Sequence, residues 1–295
     1  MTAAGTVSRR EFAGGLAALA LGVRLPAQGI SARIVSTAPS STEALFALGL
    51  GRNVVGVSIY CEYPPQVKAL PKVGTYIKPD VEAIARLRPD LVALQRHEGS
   101  IAGRLQALGI RYVELPYGSL ADVYAGIDLL AQAAGVPQRG ETLNAQIRGK
   151  LAAIQARSDG KPKVRALVIA DRRAGTLADM VAVGPGNYVN EVMRIAGADN
   201  VLDQPRLPMY PHISLETVLR ANPEVIVDLT DSHDLDAAHA DARAQDRALW
   251  NAHPELAAVK AGRVSLGVSV VLLVPGPRTP EAAEMFYGYF HGARA

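Results

Sequence analysis

The sequence predicts an α/β protein of two lobes, each built on a parallel sheet, joined by one long α-helix. Three observations carry this. From Arg33 onward, short continuous apolar runs alternate with helical periods, as in βαβ units. The alternation stops after Pro137 and restarts after Pro162. Finally, VEAIARLRPDLVAL at 81–94 returns as LETVLRANPEVIVDL at 215–229. Glu82 and Glu216, and likewise Pro89 and Pro223, are offset by 134 positions (216 − 82 and 223 − 89).

Taken in order, the runs RIVS (33–36), VVGVS (54–58), DLVAL (90–94) and RYVEL (111–115) read as strands covered on both faces. Helical spacing at 41–48 and 101–108 ends at Gly49 and Gly109, placed as C-terminal stops. Residues 137–159 show no strand signal. Leu143, Ile147, Leu151 and Ile154 instead form one apolar stripe on a long polar helix, too poor in Gly and Ser for a flexible linker. Such a joint permits little closure. Strands then resume at 164–170, 180–184, 224–229 and 263–267, with helices at 188–196, 215–220 and 280–289. Each lobe is therefore expected to be Rossmann-like, over 33–136 and 161–295, with the bridge over 137–160.

Residues 1–32 differ in kind. An arginine pair, Arg9-Arg10, precedes an apolar run from 13 to 23, too short to cross a bilayer. That order fits an export signal, and SRREF resembles a twin-arginine signal. Cleavage is expected after Ala27 or Ala32, which leaves a soluble protein in the periplasm. No cysteine stands directly after the run to take a lipid anchor. The formal charge of +3 falls to +1 once Arg9, Arg10, Arg24 and Glu11 (+2 together) are removed. Neither this balance nor any basic stripe suits nucleic acid. Cys61 is the only cysteine, so no internal disulfide and no cysteine-based zinc motif is available.

The order and spacing of RIVSTAPSSTEALFALGLGRNVVGVS, YCEYPPQV, VGTYIKPDVEAIARLRPDLV, YPHISLETVLRANPEVIV, AVKAGRV and PGPRTPEAA resemble the helical-backbone periplasmic substrate-binding proteins of ABC importers. The resemblance spans about residues 33–291 and is greatest to the cobalamin-binding branch. It implies a monomer with no cofactor of its own, which captures a transported metal chelate (cobalamin, ferric siderophore or heme) and delivers it to a permease dimer. In that family one surface glutamate per lobe docks on permease arginines, and the matching residues are Glu82 and Glu216. Each falls in the first turn of its helix, where the dipole favours an anion, so either alone reads as an ordinary helix-start acid.

A ligand is expected between the lobes, at the C-terminal ends of the strands. The residues just past those ends are Ser40, Tyr60, Tyr76, Gln95, Arg96, Arg172 and Tyr210. Tyr76 and Tyr210 each lie six residues before the repeated glutamate. A tyrosine supplies a flat apolar face and one hydroxyl, which suits a large chelate. Arg172 could meet a carboxylate or phosphate on the ligand, or lie in a solvated loop. The sequence departs from the family at Gln95, where the cobalamin binder has tryptophan, and in the apolar VSVVLLVPGPR. Siderophore therefore stays open, and heme ranks third because Thr75 stands where its axial tyrosine is expected.

The different-class alternative is an α/β enzyme with an unrecognised site between the lobes. DSHDLDAAHADARAQD (231–246) gathers His233, His239 and several aspartates, but the two histidines are six apart and do not share a helix face. The stretch reads as a solvated loop and helix. No catalytic motif or metal set is evident.

Overall fold

The computed structural model describes residues 31–97, 99–229, 240–266 and 269–292. Residues 1–30 of the expected export signal (1–32), together with His233 and His239, lie outside the described residues. The first lobe contains β1 (Ile34–Ser36), α1 (Pro39–Ala47), β2 (Val54–Val57), α2 (Val81–Arg86), β3 (Leu91–Gln95), α3 (Ala102–Ala107), β4 (Tyr112–Leu115) and α4 (Leu120–Ala133). Its sheet runs β2-β1-β3-β4, all parallel. The central strands are buried on both faces, which is why they read as unbroken apolar runs. Gly49 and Gly109 take positive φ (74° and 67°), the left-handed geometry that lets the chain leave α1 and α3.

A single helix of 22 residues, α5 (Pro137–Ser158), then crosses to the second lobe. Its buried stripe includes Ile147, Leu151 and Ile154. The second lobe holds β5 (Val164–Asp171), β6 (Met180–Ala182), α6 (Tyr188–Ile195), β7 (Ala198–Asn200), β8 (His212–Ile213), α7 (Leu215–Ala221), β9 (Val225–Asp228), α8 (Ala240–Asn251), α9 (Ala257–Lys260), β10 (Val264–Leu266) and α10 (Thr279–His291). One apolar core is continuous through both lobes around α5, and a smaller core fills the outer face of each lobe.

The second sheet departs from the parallel pattern at one strand. The second sheet runs β10-β9-β5-β6-β8, with β7 beside β5, and β6 is antiparallel to both its neighbours. After β5 the chain turns back through Gly175 at positive φ and pairs at once, without a helical crossover. The apolar stretch 268–278 also finds its reason. Val271 and Leu272 are buried in the shared core, so they are packing residues rather than cleft lining.

The opening repeat is structural as well as sequential. Asp80 caps α2 by accepting from Glu82 N and Ala83 N, and Ser214 caps α7 by accepting from Thr217 N. After each helix a left-handed residue stands immediately before a proline, Arg88 (φ 46°) beyond α2 and Asn222 (φ 42°) beyond α7. The proline ring excludes the α conformation there, so the chain turns sharply into the next strand.

Candidate functional site

Four tyrosines of the two lobes come together at the seam between them, which is the candidate cleft. On the first-lobe side, the loop after β2 presents Tyr60, whose ring packs on Tyr76 with centroids 5.6 Å apart. Tyr117, just past β4, and Tyr210, just before β8 in the second lobe, complete the group. The four rings are between 37% and 48% exposed. Tyrosines so exposed would ordinarily be covered, because each leaves a large apolar face in water. Their phenols sense one another. Burial, then Tyr60 and Tyr117, push the Tyr76 phenol above its ordinary range. Burial also raises Tyr210, with Tyr117 and Tyr76 adding to it and the Asn187 side chain pulling the other way. The wall of rings offers flat faces with hydroxyl edges, able to enclose a large ligand and hydrogen-bond its rim.

Beneath this wall, a small cavity is lined by Ser40, Ser41 and Ala44 of α1, Leu115 to Tyr117, four residues of α4, and Pro275 and Gly276. Gln95 ends β3 in register with Leu115, and Arg96 N donates to Leu115 O. Both thus sit beside the strand from which Tyr117 departs. Arg96 is exposed. The floor also carries the contact between the lobes. Tyr188 N donates to Gly118 O at 2.5 Å, and Leu120 N donates to Glu191 Oε1 at 3.0 Å.

Arg172 does not join the cleft, and its assignment as a ligand contact is corrected. Its side chain is 1% exposed, with Nε 2.8 Å from Asp228 Oδ2 and Nη2 2.7 Å from Asp246 Oδ1. Trp250 Nε1 donates to the same Asp228 oxygen at 2.8 Å. A guanidinium held by two buried carboxylates has no free edge for a ligand. The same contact corrects the solvated reading of 231–246 at its far end, where Asp246 on α8 is buried.

Glu82 and Glu216 are both exposed in the first turns of α2 and α7. Glu216 pairs with Arg220 one turn on, whereas Glu82 has no partner among the described residues. Sequence reasoning missed Tyr117, although the rule that found Tyr60 and Tyr76 (a tyrosine just beyond a strand) applies equally to it. It also missed Asn187, a fully buried cap whose Oδ1 accepts from Val189 N. Nothing in a lone Asn before a helix marks it for the cleft. Among the described residues no group of three or more His, Cys, Asp or Glu could hold a metal ion, and no helix is long and apolar enough to cross a membrane.

The family model for periplasmic binding proteins matches residues 34–267, nearly all of both lobes. This chain belongs to the periplasmic binding protein family. Among its relatives, the vitamin B12-binding protein of Vibrio campbellii is 30% identical over 230 residues, covering 77% of this chain and 81% of that protein. The vitamin B12-binding protein of Vibrio vulnificus strain YJ016 is 33% identical over 199 residues, or 66% and 70%. Solved structures agree on the fold. The periplasmic vitamin B12 binding protein BtuF of Vibrio cholerae aligns with a TM-score of 0.71 at 27% identity, covering 88% of this chain and 96% of that one. The heme-binding protein RhuT of Roseiflexus sp. RS-1 aligns at 0.75 with 28% identity, covering 88% and 99%.

Proposed function

We propose that this periplasmic binding protein captures a metal chelate between its lobes and delivers it to an ABC permease, with cobalamin the first candidate. The observation that carries the reading is the wall of four partly exposed tyrosines drawn from both lobes. Several flat aromatic faces with hydroxyl edges suit a large planar or wrapped chelate better than a small solute. The vitamin B12-binding relatives favour a corrinoid. The heme-binding neighbours keep heme in play as a competitor, and siderophore is the third arm of any binding screen.

Tyrosine fluorescence in the presence of cyanocobalamin, hemin or a ferric siderophore tests this directly. Tyr76→Ala and Tyr210→Ala are each expected to weaken binding by about 1–3 kcal/mol, the scale for one buried aromatic contact. Parent-like affinity in both variants would place the ligand elsewhere. Failure of every chelate to bind the parent would remove the functional reading. An interlobe enzyme would instead be recognised by turnover of the ligand.

Export and docking belong to the same reading. Ser31 is tied into the fold, donating from its N to Ala134 O and accepting from Asn53 Nδ2, and Ala32 N donates to Asp90 Oδ2. These contacts favour cleavage after Ala27, which would keep both residues in the mature chain. Replacing Arg9 and Arg10 by lysine is expected to leave uncleaved precursor in the cytoplasm if the twin-arginine route is used. Glu82 and Glu216 would dock on the permease, one per lobe. Lysine at both is expected to abolish uptake into proteoliposomes while leaving chelate affinity unchanged. Wild-type uptake by the double variant would reduce them to helix-start acids.

A further inference from the structure

Beyond α5 and the main-chain contacts at Gly118 and Leu120, the lobes meet through the segment that leads into α10. Gly276 lies against Ser40, where an added Cβ would stand 3.7 Å from the Ser40 carbonyl oxygen. Two residues on, Arg278 reaches into the first lobe and grips Glu43 of α1. Its Nε and Nη2 stand 2.8 and 2.5 Å from Glu43 Oε2 and Oε1. The pair is nearly dry, with side chains 15% and 4% exposed. The ring of Tyr63, on the first-lobe loop that also carries Tyr60, covers the guanidinium at 4.0 Å and is itself 46% exposed.

Glu43 sits inside α1, where a neutral side chain would pack without the cost of a buried charge. Burial pushes its carboxyl upward while Arg278 opposes that shift, so the acid is tolerated through a residue of the other lobe. A two-pronged arginine–carboxylate contact also has a narrow geometric tolerance. It holds at one separation of the lobes and is lost when they part, unlike apolar contacts, which slide.

We propose that Glu43, Arg278 and Tyr63 form an interlobe latch, in which Arg278 fixes the width of the cleft and holds Tyr63 at its rim. Arg278 is a positioning residue, acting on the ligand through cleft width and through Tyr63. The inference rests on the cleft being the ligand site, but cleft width can be measured with no ligand present.

The test places spin labels on cysteines introduced at Gln106 and Arg206, both exposed and one in each lobe. Cys61 is buried and stays unlabelled. The parent should give one narrow interlobe distance distribution. Glu43→Gln and Tyr63→Leu should broaden it toward longer distances, and the exchange Glu43→Arg with Arg278→Glu should narrow it again. Cyanocobalamin should leave the Tyr63→Leu protein roughly tenfold faster, with its association rate changed less than about twofold, because such contacts act on dissociation. Parent-like distributions in folded Glu43→Gln and Tyr63→Leu would overturn the latch. Should Glu43→Gln fail to fold, Tyr63→Leu, altered at a half-exposed ring, decides alone. Broadened distances with no chelate bound by the parent would leave the latch standing and remove only the ligand reading. Chelate binding with unchanged distances would do the reverse.

Discussion

The two lobes share one helix-to-strand joint and then differ in what they bury beside the cleft. In the first lobe, Arg33 donates from Nη2 to the Leu87 carbonyl at the end of α2, at 2.7 Å, and its N donates to Asp90 at 2.8 Å. In the second, Arg165 donates to the Ala221 carbonyl at the end of α7, at 2.5 Å, and its N donates to Glu224 at 2.8 Å. An arginine thus satisfies the orphan carbonyls of each helix, and the acid after each proline holds that arginine's backbone. Past the joint the likeness ends. Within the first lobe neutral hydroxyls pair with one another, Ser36 Oγ lying 2.7 Å from Ser41 Oγ and accepting from Thr42 Oγ1 at 2.7 Å, while its buried Glu43 is met by Arg278 from outside the lobe. The second buries the charged cluster of Arg172, Asp228 and Asp246. The repeat survives where backbone geometry demands it. It diverges at the strand ends, where side chains are free to serve different purposes.

That difference is sharpest under mutation. Arg172→Met strands two buried carboxylates and should cost about 3–5 kcal/mol in urea unfolding, the scale for breaking a buried ion pair. Ser36→Ala, in the matching region of the first lobe, should cost about 1 kcal/mol, since it removes neutral hydrogen bonds only. Equal losses would show that the two clusters do the same work. The shared joint makes the opposite forecast. Arg33→Met and Arg165→Met should each lose about 1 kcal/mol, and by similar amounts, because each removes one charged cap from a helix C-terminus. Unequal losses would mean that the repeat is ancestry without a common physical role.

Alkaline titration probes the cleft where the lobes meet. The phenols of Tyr76 and Tyr210 are raised in the folded state, so their contribution to stability is whole below the ordinary tyrosine range. It is lost as pH climbs through the raised folded values. Tyrosine absorbance should therefore show an ionisation displaced upward, which Tyr76→Phe and Tyr210→Phe each reduce. The smallest effect belongs to the exposed acids. Glu216→Gln should cost about 0.3–0.5 kcal/mol for its pair with Arg220, and Glu82→Gln less, since Glu82 has no such partner among the described residues.

Much of this was legible in the chain. Apolar runs of four or five residues gave the first lobe's strands, because a strand buried on both faces must be apolar throughout. The stripe of Ile147, Leu151 and Ile154 gave the bridging helix, because a helix repeats every 3.6 residues. Local rules singled out Tyr60, Tyr76 and Tyr210, although Tyr210 lies just before β8 rather than past a strand end. What the sequence could not give is partnership across distance. Arg172 faces Asp228, 56 positions away, and Asp246, 74 positions away (246 − 172), so a cation that reads as a ligand contact is neutralised inside the lobe. Glu43 and Arg278 are separated by 235 positions and by the full width of the interlobe seam. The antiparallel turn of β6 is decided by which edge of β5 is left unpaired. Periodicity reports which face of an element is buried. Only the packed structure decides what lies against that face, because a charge's partner is fixed by chain topology rather than by its neighbours in sequence.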